Sequence, residues 1–456
     1  MISLSVSSRY TWWLAFVRQL HGPLRRGKGS AISSCQKAMV TATLVATLAI
    51  HHFRMPAAMM QQHRPFFLVL LQISFCLITS NDLPANPPTK IRFATFNASL
   101  NRSTHGQLQH DLATATDPQC RQIAEIIQRV RPDVLLINEF DYDAGEVAAD
   151  CFQKHYLEVS QNNLPPIQYR YRFLAPVNTG LPSGMDLNGD GKSNGPADAF
   201  GFGQFPGQFG MLVLSKYPIQ TGEVRTFQHF LWRDMPNARQ PRNQDGSVFY
   251  NVETMKHLRL SSKSHWDIPL QLEKGTIHFL VAHPTPPVFD GTEDRNGCRN
   301  HDEIRLLADY VRPRHSQYLV DDQGRTGGLP DGSLFVIAGD MNADPHDGDG
   351  LDQAARQLTR HPLIHRDMIP SSLGGQQAAA QGQANKKHQG KASHDTADFP
   401  DKLPGNLRVD YVLASKTLQP LAAGVYWPQT DQHGTKLIKA SDHRLVWLDV
   451  VNIAPR

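Results

Sequence analysis

The sequence predicts an α/β protein in which β-sheets pack against each other and helices cover the outside. Apolar runs with strand character recur along the chain, only a few segments have convincing helical spacing, and several strand-like runs end in a polar residue. With 456 residues, of which 40% are hydrophobic and 19% charged, the chain is long enough for a large core and has an ordinary globular composition. The sequence contains no internal repeat, and one domain is preferred.

The first elements illustrate these patterns. Residues 90–97 alternate apolar and polar side chains, which is typical of a half-buried strand. Residues 121–130 repeat apolar side chains at helical spacing, and Pro132 ends the helix. Residues 133–139 form an apolar run typical of a buried strand. The same patterns predict strands at residues 210–215, 276–283, 334–340, 408–414 and 445–451, and a helix at residues 301–311.

Other segments have loop composition. Residues 181–207 are rich in Gly, Asp and Asn, and residues 371–391 are rich in Gln, Ala and Gly, so the second segment is predicted to be a long, mobile surface insertion. The mostly polar run 259–267 is predicted to be a solvated loop, and the alternative is that Arg259, Lys263 and His265 within it bind phosphate. Residues 300–305 are predicted to open a helix with a solvated acidic first turn, and a catalytic role in which Arg305 supports the site is the alternative.

The N-terminal segment differs in charge from the rest. Residues 1–81 contain eight Lys and Arg residues and no Asp or Glu, a charge of +8. Because the whole chain carries +4, residues 82–456 carry a net charge of −4. Proteins that bind nucleic acid non-specifically usually have a basic face. The overall charge therefore gives no support for tight DNA binding.

The same segment has the parts of a secretory signal. Arg64 is followed by the apolar run 66–78 and then by polar residues, and this run is too short for a comfortable membrane span. We therefore predict a leader at residues 1–81 and an exported domain at residues 82–456, located in the periplasm, outside the cell or on its surface. Several methionines near residue 55 are more normal starts, so residues 1–54 could be a misassigned extension. An uncleaved N-terminal membrane anchor is the alternative.

Cysteine usage excludes a disulfide scaffold. After the leader only Cys120, Cys151 and Cys298 remain, and three cysteines cannot all pair within one chain. A bridge between Cys120 and Cys151 and three free thiols both remain open. The sequence contains no Cys/His spacing typical of a zinc site.

Polar residues end several of the predicted strands. Ligands and catalytic groups gather at strand ends in α/β folds, whereas a single Asp there is usually a turn residue. Six such places in one chain indicate a functional site more strongly than one does. The residues are Asn97, Asn138-Glu139, His283, Asp340-Met341-Asn342, Asp410 and Asp442-His443.

These motifs resemble, in order, those of the endonuclease/exonuclease/phosphatase superfamily. That group includes deoxyribonuclease I, abasic-site endonucleases, neutral sphingomyelinases and inositol polyphosphate 5-phosphatases. The resemblance implies a four-layer α/β/β/α sandwich of two mostly antiparallel sheets packed face to face, with the site at one edge. It extends from about residue 90 to the C-terminus and rests on Phe96-Asn97, Asn138-Glu139, Gly339-Asp340-Met341-Asn342, Arg408-Val409-Asp410-Tyr411 and Ser441-Asp442-His443.

The resemblance also implies a metal cofactor. A phosphodiester is anionic, and a carboxylate-held Mg²⁺ or Mn²⁺ can neutralise the charge that develops on its oxygens. Glu139 is the implied principal ligand, with Asn97 and Asp442 close to the same ion.

Five further residues receive catalytic roles from the resemblance. Asp340 would orient or deprotonate the attacking water, and Asn342 would hold that water or a phosphate oxygen. His443 would donate to the scissile phosphate, with Asp410 orienting its imidazole and favouring the charged form. His283 resembles the second histidine of the deoxyribonuclease-like branch, which binds phosphate or protonates the leaving group.

A separate motif resembles the start of an EF-hand or dockerin calcium loop. In Asp186-Leu187-Asn188-Gly189-Asp190-Gly191, oxygen ligands occupy alternate positions before a glycine turn. Ala197 stands where the terminal carboxylate is expected, and Asp198 is one residue later. A structural Ca²⁺ loop and an ordinary Asp/Asn/Gly turn both remain open.

Together these observations predict an exported, metal-dependent phosphoesterase that uses direct attack by water. A nuclease-like phosphodiesterase is the leading form, and a sphingomyelinase-like or inositol-phosphatase-like enzyme is the first alternative. The acidic domain favours that alternative, whereas His283 favours the deoxyribonuclease branch. A catalytically silent binding module is the second alternative. The expected partner is a phosphate-ester substrate, with nucleic acid as one candidate, and no stable protein partner is inferred.

Overall fold

The computed structural model describes residues 90–430, 432 and 434–451. The predicted leader, including the apolar run 66–78, lies outside these residues. The strands are β1 (Lys90–Asn97), β2 (Val134–Asn138), β3 (Tyr171–Phe173), β4 (Met211–Ser215), β5 (Arg225–Thr226), β6 (His265–Leu272), β7 (Gly275–Ala282), β8 (Phe335–Asp340), β9 (Ala397–Asp398), β10 (Asn406–Leu407), β11 (Asp410–Ala414), β12 (Gln419–Val425) and β13 (Val446–Val451).

The helices lie between these strands. The α-helices are α1 (Gln107–Leu112), α2 (Pro118–Val130), α3 (Val147–Phe152), α4 (Val252–His257), α5 (Arg295–Tyr310), α6 (Arg356–Thr359) and α7 (Leu373–Ala378). A π-helical turn (Gln153–Leu157) continues α3, and 3₁₀ turns occur at Pro196–Asp198, Thr221–Glu223, Trp232–Asp234, Leu351–Gln353, Ala379–Gln381, Gln383–Lys387, Ala392–His394 and Leu437–Ala440.

Two large sheets organise the domain. The first has the order β12-β13-β1-β2-β4-β3, and the second has the order β11-β8-β7-β6-β5. Neighbouring strands are antiparallel except for the pairs β1–β2 and β7–β8, which are parallel. The predicted pair of mostly antiparallel sheets is therefore confirmed. Strands β9 and β10 form a separate two-stranded ribbon.

The inner faces of the sheets form one apolar core. Because side chains alternate along a strand, Phe93 of β1 points between the sheets while Ala94 points to the outer face. The ring of Phe93 packs on that of Phe279 from the second sheet, with centroids 5.4 Å apart. Burial of each such side chain contributes about 1.5–3 kcal/mol.

Helices cover both outer faces. Ile123 and Ile127 of α2 pack in the same cluster as Leu135 of the first sheet. Ile304 and Leu307 of α5 lie in the corresponding cluster on the second sheet. The α/β/β/α layering predicted from the resemblance is thus confirmed.

Most of the predicted elements form with shifted ends. Helix α2 begins at Pro118 because Asp117 caps it, its carboxylate accepting a hydrogen bond from the Cys120 N–H at 2.8 Å. Helix α5 begins at Arg295, earlier than the predicted residue 301. The predicted strands 210–215, 276–283, 334–340, 408–414 and 445–451 correspond to β4, β7, β8, β11 and β13.

The insertion at residues 371–391 has more structure than its composition predicts. It contains α7, and a side chain on Gly374 would collide with the Trp427 carbonyl oxygen. The Asp347 carboxylate accepts hydrogen bonds from the backbone N–H groups of Gln389 and Gly390, each at 2.8 Å. These contacts fix the insertion against the domain.

Cys120, Cys151 and Cys298 are free thiols, so the alternative of a Cys120–Cys151 bridge is not realised in this structure.

Within the part of the chain that the structure describes, none of the helices combines the length and apolarity required to cross a membrane.

Candidate active site

The predicted site residues meet at one edge of the sandwich. In the first sheet, Asn97 ends β1 and Glu139 follows β2; in the second, His283 follows β7 and Asp340 ends β8. Parallel neighbours end at the same sheet edge, so each sheet brings two polar side chains there.

Asn97 joins the two sheets at this edge. Its side-chain Nδ2 donates to Oε1 of Glu139 and to Oδ2 of Asp340, both at 3.1 Å, and its Oδ1 accepts from the Ser99 N–H at 3.2 Å. A nitrogen therefore faces the two carboxylates. For Asn97 to serve as the predicted metal ligand, its amide would have to turn so that Oδ1 faces Glu139.

Glu139 is held in an uncommon backbone conformation. Its φ is 60°, a region that costs a non-glycine residue about 1–2 kcal/mol and that clusters at functional sites. The Asn101 side chain donates to its Oε2 at 2.7 Å. Burial raises the pKa of Glu139, although the Asn97 hydrogen bond and the charges of His443 and Lys263 oppose that rise. This carboxylate would gain from a nearby cation.

His443 is enclosed by two carboxylates. Its Nδ1 lies 2.9 Å from Oδ2 of Asp410, and its Nε2 lies 3.7 Å from Oδ2 of Asp340. Burial opposes the charged imidazole, but the charges of Asp410 and Asp340 outweigh it and raise the pKa of His443 to about 10. The ring of Phe399 meets the imidazole edge-on, with centroids 5.4 Å apart.

Two hydroxyl groups position the histidine and its carboxylate. Thr396 Oγ1 accepts the backbone N–H of Asp410 at 2.9 Å. Ser441 Oγ donates to the Asn97 carbonyl at 2.8 Å and accepts the His443 N–H at 3.0 Å. The His443 backbone is therefore tied to the first sheet and Asp410 to the β9 segment.

Asp340 stands between the two sheets. Burial raises the pKa of its carboxyl group, while the charge of His443 partly offsets this effect. Its Oδ1 accepts the Asn342 N–H at 2.9 Å. The preceding Gly339 has φ 153°, and a side chain there would collide with the carbonyl oxygen of Ala282, so glycine is required for β8 to approach β7.

The Asn342 side chain already donates one of its amide hydrogens within the protein. Its φ is 50°, and its Nδ2 donates to the Pro284 carbonyl at 3.0 Å. The second Nδ2 hydrogen and Oδ1 remain, so this side chain can donate to a phosphate oxygen or accept from a water molecule. Both predicted roles of Asn342, holding the water or a phosphate oxygen, therefore stay predictions.

His283 is buried and neutral. Its Nε2 lies 3.5 Å from Oδ2 of Asp340, and its Nδ1 has no hydrogen-bond partner among the described residues. Burial, together with the positive charges of Lys263 and His443, holds the pKa of His283 well below its usual range. A neutral imidazole can donate one hydrogen bond to phosphate, and it is a poor source of a proton for a leaving group.

Asp442 lies at the margin of this network. It is exposed, and its Oδ1 is 3.5 Å from Ser99 Oγ. Ser99 also donates its N–H to Asn97. The structure therefore joins the Asn97 and Glu139 side chains directly, whereas the Asp442 carboxylate reaches them through Ser99.

The donor set fits an oxygen-liganded divalent cation. Glu139 and Asp340 are carboxylates whose ionised forms are disfavoured by burial, and Oδ1 of Asp410 has no partner among the described residues. Ligand atoms of Asp340, Asp410 and His443 also lie within 4.8 Å of one another, although His443 could ligate a cation only after losing its proton. A bound cation would offset the charge that burial leaves uncompensated.

The prediction of a solvated loop at residues 259–267 is wrong. Lys263 is 6% exposed and His265 is 2% exposed, and the run from His265 onward is strand β6. Strand β6 could have been predicted from the sequence, because apolar residues alternate regularly with polar or proline residues from Trp266 to Leu272. Burial of Lys263 left no comparable trace in the sequence.

The prediction of a solvated acidic turn at residues 300–305 is also wrong. Helix α5 starts five residues earlier, and Glu303 is fully buried. Its carboxylate accepts the N–H groups of Ser262 and Thr285, both at 2.6 Å. Glu303 thus fixes the two segments that carry Lys263 and His283.

The calcium-like motif forms a closed loop. The Asp186 carboxylate accepts N–H groups of Gly189 at 2.7 Å and Gly191 at 2.8 Å. Asp198 is buried and accepts N–H groups of Leu187 and Gly195, both at 3.0 Å. The late carboxylate therefore belongs to the loop, and calcium binding by Asp186, Asn188 and Asp190 stays a prediction.

Comparison with known proteins gives one extensive sequence match. The profile of the Endonuclease/Exonuclease/phosphatase family matches residues 94–443, which include all the predicted site residues from Asn97 to His443. No curated protein matches the chain.

The solved structures that match this chain have low sequence identity to it. An endonuclease/exonuclease/phosphatase from Beutenbergia cavernae is 17% identical, with 79% of this chain and 71% of that chain covered and a TM-score of 0.39. Sphingomyelinase C from Streptomyces griseocarneus is 14% identical, with 79% and 99% covered and a TM-score of 0.41. A beta toxin mutant from Staphylococcus aureus with bound magnesium ions is 12% identical, with 79% and 99% covered and a TM-score of 0.38.

Proposed function

Because this chain belongs to the endonuclease/exonuclease/phosphatase family, we propose that it hydrolyses phosphodiester bonds by direct attack of water, with the help of Mg²⁺ or Mn²⁺. The observation that carries the proposal is the arrangement of His443 between Asp410 and Asp340, beside the Asn97–Glu139 pair. No side chain in this cluster is an activated serine or cysteine, so water is the nucleophile that the site can best orient.

Glu139 would be the main ligand of the divalent cation, with Asn97 and Asp442 as the additional ligands implied by the family resemblance. When bound, the cation supplies positive charge to a phosphate oxygen. The raised pKa of Glu139 supports this assignment, because a carboxylate that burial destabilises is stabilised by a cation.

Asp340 and Asn342 would act on the water. The Asp340 carboxylate accepts the proton that water loses on attack, and its raised pKa suits that task. Oδ1 of Asn342 would accept the other hydrogen of the water. The Asn342 N–H holds the Asp340 carboxylate in position at 2.9 Å.

His443 and His283 would act on the phosphate. The charged imidazole of His443, kept in place by Asp410, would donate through Nε2 to a non-bridging oxygen as negative charge develops there. Neutral His283 would donate one further hydrogen bond. The phosphorus–ester oxygen bond breaks as the water oxygen bonds to phosphorus.

A nuclease-like activity is the first candidate, because a second histidine at position 283 is a feature of the deoxyribonuclease-like branch. A lipid or small-molecule phosphate ester is the second candidate. It is favoured by the net charge of −4 over residues 82–456, which gives little attraction for a polyanion.

A substrate panel separates these candidates. The purified chain would be given plasmid DNA, RNA, sphingomyelin and inositol phosphates with Mg²⁺. Nuclease function predicts release of nucleotides or nicked plasmid, with rates that fall as salt rises. Preferential release of phosphocholine or inorganic phosphate would instead select the second candidate. Absence of turnover on every substrate would contradict a phosphoesterase and favour a binding module.

Export and calcium binding are separate proposals. We expect the protein to be exported on the strength of the signal-like run 66–78, and fractionation of producing cells tests this.

The loop containing Asp186 and Asp190 is proposed to bind structural Ca²⁺. Calorimetric titration should show one Ca²⁺ site that is lost in Asp186→Ala, and equal binding by this variant would exclude the loop.

A further inference from the structure

Asn300 of helix α5 joins the chain segments that follow strands β7 and β8. It is fully buried, and its Nδ2 donates to the Thr285 carbonyl at 2.8 Å and to the Met341 carbonyl at 2.9 Å. Thr285 lies two residues after His283. Met341 directly follows Asp340. One amide group therefore holds both segments that carry candidate catalytic residues of the second sheet.

The pairing of the two strands does not extend to these residues. The last paired residues of β7 and β8 are Val281 and Ala338. The paired part of the strands thus ends two residues before His283 and Asp340. Beyond that point the two segments are linked by the hydrogen bonds of the Asn300 side chain.

Two further hydrogen bonds hold the segment after β7. The Glu303 carboxylate accepts the Thr285 N–H at 2.6 Å, and the Asn342 side chain donates to the Pro284 carbonyl at 3.0 Å. Because Asn300 and Glu303 are three residues apart on α5, they lie on the same face of the helix. The N–H and the carbonyl of Thr285 are therefore both anchored to one helix.

The Asn300 side chain is only partly satisfied by the fold. Its Oδ1 is buried and has no hydrogen-bond partner among the described residues. Burial of an unpaired carbonyl oxygen is unfavourable, because the oxygen loses its hydrogen bonds to water. The amide therefore contributes through its two N–H donors, and both reach the backbone beside candidate catalytic residues.

The contact that depends on this link is the one between His283 and Asp340. Nε2 of His283 lies 3.5 Å from Oδ2 of Asp340, and both side chains are almost fully buried. In the proposed function the first group donates to the phosphate and the second accepts the proton of the attacking water. A displacement of about 1 Å can slow catalysis by about 10²-fold, so the separation of the two groups matters for the rate.

We propose that Asn300 is a positioning residue for the hydrolysis, which sets the separation of His283 and Asp340 through the backbone. The inference rests on the proposed phosphoesterase function and deepens it by naming the residue that aligns the part of the site built on the second sheet. Glu139 and Asn97, the proposed cation ligands, come from the first sheet. Mg²⁺ binding should therefore not depend on Asn300.

Turnover of bis-p-nitrophenyl phosphate by Asn300→Leu tests the proposal. The substitution keeps the approximate size of the side chain and removes both N–H donors. We expect kcat to fall by about 10²-fold, with a smaller change in KM and an unchanged Mg²⁺ affinity in calorimetric titration. Circular dichroism would establish that the variant is folded at the assay temperature. Asn300→Ser, which keeps one donor, should lose less of kcat and provides the same measurements if Asn300→Leu does not fold.

Gln128→Leu is the matched control. Gln128 is a buried amide of helix α2, and its Nε2 donates to the carbonyls of Leu157 at 3.0 Å and Val159 at 2.7 Å. The same change there removes two hydrogen bonds to the backbone on the outer side of the first sheet. This variant should lose stability as Asn300→Leu does, and it should keep the kcat of the parent.

Crystal structures of the parent and of Asn300→Leu provide a readout that does not require activity. The distance between Nε2 of His283 and Oδ2 of Asp340 should differ from its parent value in this variant and stay unchanged in Gln128→Leu.

Parent-like kcat in folded Asn300→Leu or Asn300→Ser would overturn the proposal. An equal loss of kcat in Gln128→Leu would overturn it too, because the loss would then follow stability and not alignment. If the parent hydrolyses no phosphodiester but the distance changes in the variant, the proposed function fails and the alignment by Asn300 stands. If the parent is active and the distance is the same in Asn300→Leu, the positioning role fails alone.

Discussion

Nδ1 of His443 lies 2.9 Å from Oδ2 of Asp410, and this contact holds a buried imidazole in its charged form. The two residues come from different sheets, since Asp410 starts β11 and His443 precedes β13. The pair therefore forms only when the sandwich is assembled. It makes the charge state of the site a consequence of the tertiary fold.

Asp410→Asn should lower the pKa of His443 and reduce kcat by roughly 10²–10⁴-fold, because the amide cannot stabilise an imidazolium. NMR titration of the His443 ring would show the shift, and steady-state kinetics would show the loss. Asp133→Asn, which alters a carboxylate paired with Lys216 away from the site, is the control. An unchanged His443 pKa would exclude the proposed role of Asp410.

Activity should fall on the acid side as Asp340 is protonated. Burial raises the pKa of this carboxyl group to about 6, and a base must be deprotonated to accept the proton of water. Turnover should therefore be high above this pH and fall below it. A bound cation should move that fall to a lower pH, because it favours the ionised carboxylate. A profile of kcat/KM against pH measures the limb, and a rate that rises below pH 6 would contradict the role of Asp340.

Glu139→Gln should abolish stabilisation of the protein by Mg²⁺. A carboxylic acid with a raised folded-state pKa favours folding at low pH and opposes it as pH rises through that pKa, so at neutral pH its charge destabilises the metal-free fold. The variant should therefore melt in EDTA at the same or a higher temperature than the parent. Added Mg²⁺ should raise the melting temperature of the parent only. An equal Mg²⁺ shift in the variant would remove Glu139 from the ligand set.

Gly339→Ala should lower the free energy of unfolding by about 1–3 kcal/mol or more, because its methyl group would collide with the Ala282 carbonyl at a φ that disfavours side chains. It should also displace Asp340 and reduce activity. Denaturant titration measures the first effect. Gly222→Ala, with open space around the added methyl group, is the control and should change stability little.

The strand and helix pattern of the sequence predicts much of the fold, because local periodicity reports which face of an element is buried. Strand β1 forms with the predicted bounds, Lys90–Asn97. Strand β12 was not predicted because it is an edge strand whose outer residues are only partly buried and which begins with Gln419-Pro420.

Burial of isolated charged residues could not be predicted in the same way. Glu303 is buried because Ser262 and Thr285 present their N–H groups to it from distant segments. Lys263 is enclosed in part by a loop some sixty residues earlier in the chain, which packs on Ser262 through Gly201. Such contacts leave no local periodicity. The ordered motifs identified most of the candidate site, and the fold supplied its surrounding charges.

The most direct test is the Mg²⁺-dependent turnover of bis-p-nitrophenyl phosphate by the purified chain and by His443→Ala. We expect the parent to release p-nitrophenol with Mg²⁺ and to stop in EDTA, and we expect the folded variant to be slower by orders of magnitude. Turnover that persists in EDTA, or that is equal in His443→Ala, would contradict a metal-dependent phosphoesterase built around this histidine.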